Sequence, residues 1–154
     1  MQKILFVCHG NICHSPMAQY LLAHLAAERG LACRTQSAAT SREEIGNPIY
    51  PPARRKLREK GIPFGDHRAV QMTRQDYGAY DLLLAMDQAN VRNMTAIAGG
   101  DPAGKIHRLL DFTDHPRDIA DPWYTGDFEA TYDDLLQGCQ ALLDWLEGQD
   151  PPCV

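Results

Sequence analysis

The stretch Ile4-Leu5-Phe6-Val7-Cys8-His9-Gly10-Asn11-Ile12-Cys13-His14-Ser15-Pro16 decides the fold, because it joins an apolar run to a helical pattern that begins at Met17. A run of this length reads as a buried strand, and the nearby helix leaves room only for a tight loop between them. The Cys8 thiol therefore stands at the carboxyl end of a strand, beneath backbone N–H groups that point inward where a helix begins. Such ends attract anions and lower a thiol pKa. Gly10 takes positive φ without cost and Asn11 is among the few other residues that tolerate it, so the loop can close into an anion-holding nest. Ser15 and Pro16 suit the N-cap and first turn of the helix.

Outward from this stretch the pattern alternates. Met17, Ala18, Leu21, Leu22 and Leu25 carry the first helix to about Arg29, where Gly30 stops it. Residues 31–37 read as a second strand and 38–48 as a long loop. Pro51-Pro52 opens a helix that runs to about Lys60, with Gly61-Ile62-Pro63 closing it. Asp76 to Tyr80 reads as a helical turn, and Tyr80-Asp81-Leu82-Leu83-Leu84-Ala85-Met86 as a strand buried on both faces. Asp87 is placed to cap a helix over 88–98 that Gly99-Gly100-Asp101-Pro102 breaks. Residues 106–109 read as a fourth strand, followed by a polar, proline-punctuated loop. A last helix spans 128–146, with Leu135, Leu136, Leu142, Leu143 and Trp145 inward, and the tail from Asp150 is expected to fray. Strands alternating with helices predict an α/β domain: a small doubly wound sheet of about four parallel strands with helices on both faces. Ligands in such sheets sit beyond the carboxyl ends of the strands, where Cys8 lies.

Composition bounds the possibilities. The 154 residues are 44% hydrophobic and 23% charged, which fits one domain over 1–154 with a substantial core. A formal net charge of −5 argues against general binding to nucleic acid or anionic membranes. The one basic cluster, Arg54, Arg55, Lys56, Arg58 and Lys60, reads as a solvated helix face. The first apolar stretch ends too early for a signal-peptide core, and no run approaches a membrane span of about 18 residues, so a cytoplasmic protein is expected. Cys8, Cys13, Cys33, Cys139 and Cys153 form an odd, dispersed set that predicts free thiols in a reducing compartment. His24, His107 and His115 read as ordinary polar positions.

Val7-Cys8-x-Gly10-Asn11-Ile12-Cys13-x-Ser15-Pro16 resembles the signature of the low-molecular-weight protein tyrosine phosphatases. Further matching segments spread the resemblance over most of the chain: Ser37-Ala38-Ala39-Thr40-Ser41, Gly46-Asn47-Pro48, His67-Arg68-Ala69, Gln71-Met72-Thr73, Met86-Asp87-x-x-Asn90 and Asp121-Pro122-Trp123-Tyr124. The family motif is Cys-x5-Arg-Ser, and here His14 stands at the arginine position. The resemblance implies hydrolysis of phosphotyrosine or aryl phosphomonoesters through a cysteinyl-phosphate, without metal or organic cofactor. Cys8 is then the nucleophile and Asp121 the general acid, while His14 takes the phosphate clamp and Ser15 helps the thiolate leave. His9, Gly10, Asn11, Ile12, Cys13 and His14 cradle the phosphate; Trp123 and Tyr124 grip the aryl group, and Glu43, beside Glu44, belongs to a specificity loop. Asn11 is held by Ser15, Ser37 and His67. Cys13 is able to form a reversible disulfide with Cys8. The implied partners are phosphotyrosine proteins or small aryl phosphates, with phosphate or vanadate in the loop; no nucleic acid, no membrane and a monomeric state are expected.

Phosphorus chemistry on a thiolate needs a positioned nucleophile, neutralisation of three equatorial oxygens and an acid for the leaving oxygen. Histidine carries at most two donors and loses its charge near pH 6–7, whereas arginine offers a fixed planar fork. The departure at His14 predicts slowed turnover, and it keeps open an alternative: a phosphotyrosine-binding pseudophosphatase. Two other readings stand lower. Zinc ligation by Cys8, His9, Cys13 and His14 would crowd four ligands into one loop, and arsenate reduction requires redox cysteines that do not occur between Cys33 and Cys139.

Overall fold

Four parallel strands form the sheet, in the order Cys33–Ala39, Gln2–Cys8, Leu82–Ala85, Ile106–Arg108. The computed structural model describes residues 1–149; the tail expected to fray, and Cys153 within it, lie outside the described residues. The chain runs β1 (Gln2–Cys8), α1 (His14–Glu28), β2 (Cys33–Ala39), α2 (Pro51–Glu59), α3 (Arg74–Ala79), β3 (Leu82–Ala85), α4 (Gln88–Ala98) and β4 (Ile106–Arg108). A 3-10 turn at Leu109–Phe112, α5 (Pro122–Thr125) and α6 (Phe128–Gln149) complete it. The α/β fold with a parallel sheet is as the alternating pattern predicts.

The apolar runs form the central strands for a physical reason. A strand covered by helices on both faces must be apolar at every position, and Ile4 to Val7 and Leu82 to Ala85 are all buried. Ile4, Phe6, Leu82 and Leu84 face α1, α2 and α6, while Leu5, Val7, Leu83 and Ala85 face the side covered by Met94 and Ala98 of α4. The chain moves from β1 outward to β2 and then returns to place β3 on the other side of β1. The crevice at this reversal lies beside Cys8 and the residues that follow β3.

Several boundaries differ from the expectation. The second strand starts and ends two residues later, through Ala39, because it continues pairing with β1 up to Cys8. β4 ends at Arg108, and Leu109 instead enters the 3-10 turn. Within α6, Gly138 allows a close crossing: a Cβ there would lie 2.5 Å from Leu109 Cγ. Trp145 is 41% exposed, not inward; its ring meets Phe112 edge-on at 5.2 Å on the outer face of α6. The basic cluster is not simply solvated, since Lys56 and Lys60 reach Glu129 at 2.6 and 2.8 Å and tie α2 to α6. Hydrogen bonds from these lysines hold the Glu129 carboxyl at about 2, well below the usual range. No helix among the described residues is long and apolar enough to cross a membrane.

Candidate active site

Asn11 organises the loop after β1. It takes the left-handed conformation, with φ 60°, which Gly10 does not. Its buried amide side chain then works in both directions: Nδ2 donates to Ser15 Oγ at 2.9 Å, and Oδ1 accepts from the Val70 amide at 3.2 Å. His67 Nε2 lies 3.0 Å from the same Oδ1 and burial lowers its pKa, so the ring is neutral and donates through that nitrogen. The loop backbone is also stitched outward, with Thr40 N donating to Cys8 O and Tyr50 N to Ile12 O, each at 2.9 Å. Buried polar groups satisfied in this way hold one conformation.

The Asn11 amide donates to Cys8 Sγ at 3.2 Å, and the Ser15 hydroxyl lies 2.8 Å from the sulfur. No hydrogen bond among the described residues engages the amides of His9, Gly10, Ile12, Cys13 or His14. The loop thus surrounds the sulfur with available donors at the start of α1, which is how a fold prepares an anion site. Ser15 does not cap the helix: α1 begins at His14, one residue before it, and the Ser15 side chain turns back to Cys8 and Asn11. Ser37 does not reach Asn11 either. It donates to Gln19 Oε1 at 2.6 Å, because the second turn of α1 brings the buried Gln19 side chain over β2 first.

His14 is almost fully buried, and neither ring nitrogen has a hydrogen-bond partner among the described residues. Burial disfavours its charge, but the negative charge of Cys8, then those of Asp121 and Asp87, outweigh burial and raise its pKa. The reciprocal effect acts on Cys8: burial pushes the thiol up, and the His14 cation, the Ser15 hydroxyl and the Asn11 amide bring it below the usual thiol range. Cys13 goes the other way. Burial and the charges of Asp121, Cys8 and Glu44 raise it, so two thiols of one loop differ sharply in nucleophilicity.

A cavity of about 40 Å³ is lined by the loop from Cys8 to His14 together with Glu43, Glu44, Asp121, Trp123 and Tyr124. The site residues expected for nucleophile, cradle, acid and walls therefore come together. Ser15 and His67 stand behind them, and Ser37 stands apart. Asp121 caps α5, accepting from the Trp123 amide at 3.0 Å, an element too short to read within a polar loop. Trp123 packs on Tyr50 with ring centroids 4.7 Å apart. His9 Nε2 meets Glu43 Oε2 at 3.0 Å across the rim. This pair and the Gln19 contact were missed, although a polar Gln on the apolar side of the first helix was a visible signal. Among the described residues no group of three or more His, Cys, Asp or Glu is arranged for a metal ion.

A parallel α/β sheet that presents a low-pKa thiol inside a ring of amides, faced by a carboxyl group, defines a cysteine-based oxyanion-binding domain. The model of the family described as low molecular weight phosphotyrosine protein phosphatase matches residues 3–150. The chain belongs to that family. It is 39% identical over 147 residues to the low molecular weight protein-tyrosine-phosphatase YfkJ of Bacillus subtilis, covering 93% of this chain and 94% of that protein. It is 32% identical over 148 residues to PtpA of Staphylococcus aureus, covering 95% and 94%. The crystal structure of YfkJ superposes with a TM-score of 0.94 at 37% identity, covering 97% of both chains.

Proposed function

We propose that this protein hydrolyses phosphotyrosine and related aryl phosphomonoesters through a phosphate ester of Cys8. The observation that carries the reading is the single cavity holding the low-pKa thiol, the unengaged amides and Asp121. The Cys8 thiolate attacks phosphorus, the P–O bond to the aryl group breaks, and Asp121 gives its proton to the departing oxygen. The loop amides and the His14 cation hold the three equatorial oxygens. Water then attacks phosphorus, Asp121 accepts its proton, and the thiolate leaves towards the Ser15 hydroxyl. Peroxide is proposed to oxidise the low-pKa Cys8 first, to a sulfenic acid with release of water, and the Cys13 thiol then displaces a second water to form the Cys8–Cys13 disulfide, which a thiol reductant reverses.

A second reading, phosphotyrosine binding without turnover, is favoured by His14 at the family's arginine position. One experiment separates the two. Rapid quenching with a ³²P-labelled aryl phosphate is expected to trap label on Cys8, and Cys8→Ser is expected to abolish both label and turnover. Vanadate binding without any labelled intermediate would establish the pseudophosphatase, and full turnover in Cys8→Ser would remove the covalent mechanism.

A further inference from the structure

Beside the catalytic cavity lies a second and larger one, of about 360 Å³, at the carboxyl end of β3. The two share His9, His14, Asp121 and Tyr124, and the second adds Asp87, Ala89, Asn90 and Asn93 from the start of α4. Among the described residues no lysine or arginine lines either cavity, and the basic side chains there are His9 and His14, an unusual balance for a site that handles a dianion. Asp87 and Asp121 each use one oxygen to cap a helix, accepting from Asn90 N at 2.7 Å and Trp123 N at 3.0 Å. Their other oxygens have no hydrogen bond, and neither carboxylate forms an ion pair, among the described residues. His14, buried and with both nitrogens unpartnered among the described residues, stands in the wall between the two spaces.

We infer that this second cavity receives a cationic side chain, the guanidinium or ammonium of an arginine or lysine next to the phosphorylated residue of a protein substrate. The inference rests on reading the loop as the phosphate site. Asp87 and Asp121, whose charges act on the His14 imidazole, stand beside a phosphate loop that has a histidine in place of a permanent cation, and a substrate that brings its own positive charge complements both. The cation pairs with Asp87 on one side and with the bound phosphate on the other, and leaves Asp121 to carry its proton. It thereby restores part of the charge that His14 supplies less completely than an arginine. Tyr124, 77% exposed, and the exposed Asn93, whose amide oxygen is a neutral acceptor, line the same cavity.

The test uses two phosphotyrosyl peptides that differ only beside the phosphotyrosine, one with arginine and one with citrulline, its planar uncharged counterpart. The expected kcat/KM ratio favours arginine by about five- to tenfold at low ionic strength and shrinks as salt is added. Asp87→Asn keeps a helix-capping oxygen while removing the charge, and is expected to at least halve the ratio; Asn93→Lys, on an exposed turn of α4, is expected to bring it towards one. The same ratio is read as peptide affinity in Cys8→Ser, so it does not depend on the rate of turnover. A ratio within twofold of one in the unmodified protein, or a larger ratio that neither substitution changes, overturns the subsite. Vanadate affinity of the unmodified protein reports on the phosphate loop separately: vanadate bound with a ratio near one removes only the subsite, and no vanadate binding removes the phosphate reading as well.

Discussion

The loop from Cys8 to Ser15 and the segment from Asp121 to Tyr124 face one cavity but are built oppositely. In the first, Cys8, Asn11 and Ser15 are buried and bonded to one another, and Asn11 is pinned by contacts from distant parts of the chain. In the second, Trp123 and Tyr124 are 48% and 77% exposed, and Asp121 is fixed chiefly by capping a single turn. The difference suits the proposed roles. An anion site gains from donors that do not reorganise, whereas an acid and its flanking rings must admit substrates of varied shape and release product.

The comparison is broken most severely at the acid. Asp121→Asn is expected to lower kcat by about 10²- to 10⁴-fold for a poor leaving group such as phosphotyrosine, and less for 4-nitrophenyl phosphate, with no fall in melting temperature. Equal losses for both leaving groups would move the proton donor elsewhere.

His14→Arg sharpens the comparison by completing the rigid side. Two charge-assisted hydrogen bonds at roughly 1.5–3 kcal/mol each, a third of which histidine retains, leave about 2–4 kcal/mol, or about 30- to 10³-fold in kcat/KM. The pH profile carries the sign. The His14 cation exists below its raised pKa and is lost as pH rises through it, so oxyanion affinity of the unmodified protein is expected to fall on the alkaline side of the ordinary imidazole value, about 6.5. Vanadate inhibition measured across that range in both proteins is expected to separate the curves, the arginine variant holding flat with respect to this group.

Asn11→Ala tests rigidity itself. It strands the partners of Asn11 while keeping a positive φ that alanine disfavours, and is expected to cost about 2–4 kcal/mol, seen as a melting point lower by about 5–15 °C. The smallest effect belongs to the open side: Trp123→Ala is expected to leave the melting point unchanged and raise KM for aryl phosphates by about three- to tenfold. A Trp123 variant that melted earlier than the Asn11 variant would reverse the assignment of rigid and adjustable halves.

Legibility in the sequence followed the range of each interaction. Helix α4 was readable to its ends because its signals are local: Asp87 accepts from Asn90 three residues on, and Gly99 is left-handed at the stop. The Cys8 loop and its anion-holding character were readable for the same reason. The start of α1 was not, since Asn11 and not Gly10 takes the left-handed turn, and that choice depends on His67 and Val70 far along the chain. Ser37 was assigned to Asn11 when its true partner, Gln19, reaches it only after β2 has docked beside β1. The second cavity was invisible for a related reason: the end of β3 comes beside the Cys8 loop only through the order of the sheet.

The packing of α1 against α6 has a consequence for synthesis in the cell. The helix that carries the Cys8 loop at its head buries Met17, Leu21 and Leu22 in the same core as Leu135, Cys139, Leu142 and Leu143 of the last helix. Residues of α1 thus wait for residues of α6, which leave the ribosome much later. A nascent chain that has emerged as far as β4 already contains Cys8, Asn11, Ser15 and His67, yet lacks one wall of the core on which they rest. Catalytic competence is accordingly expected to arrive in one step once α6 has emerged, and chains that still lack it to remain inert towards phosphorylated proteins around them.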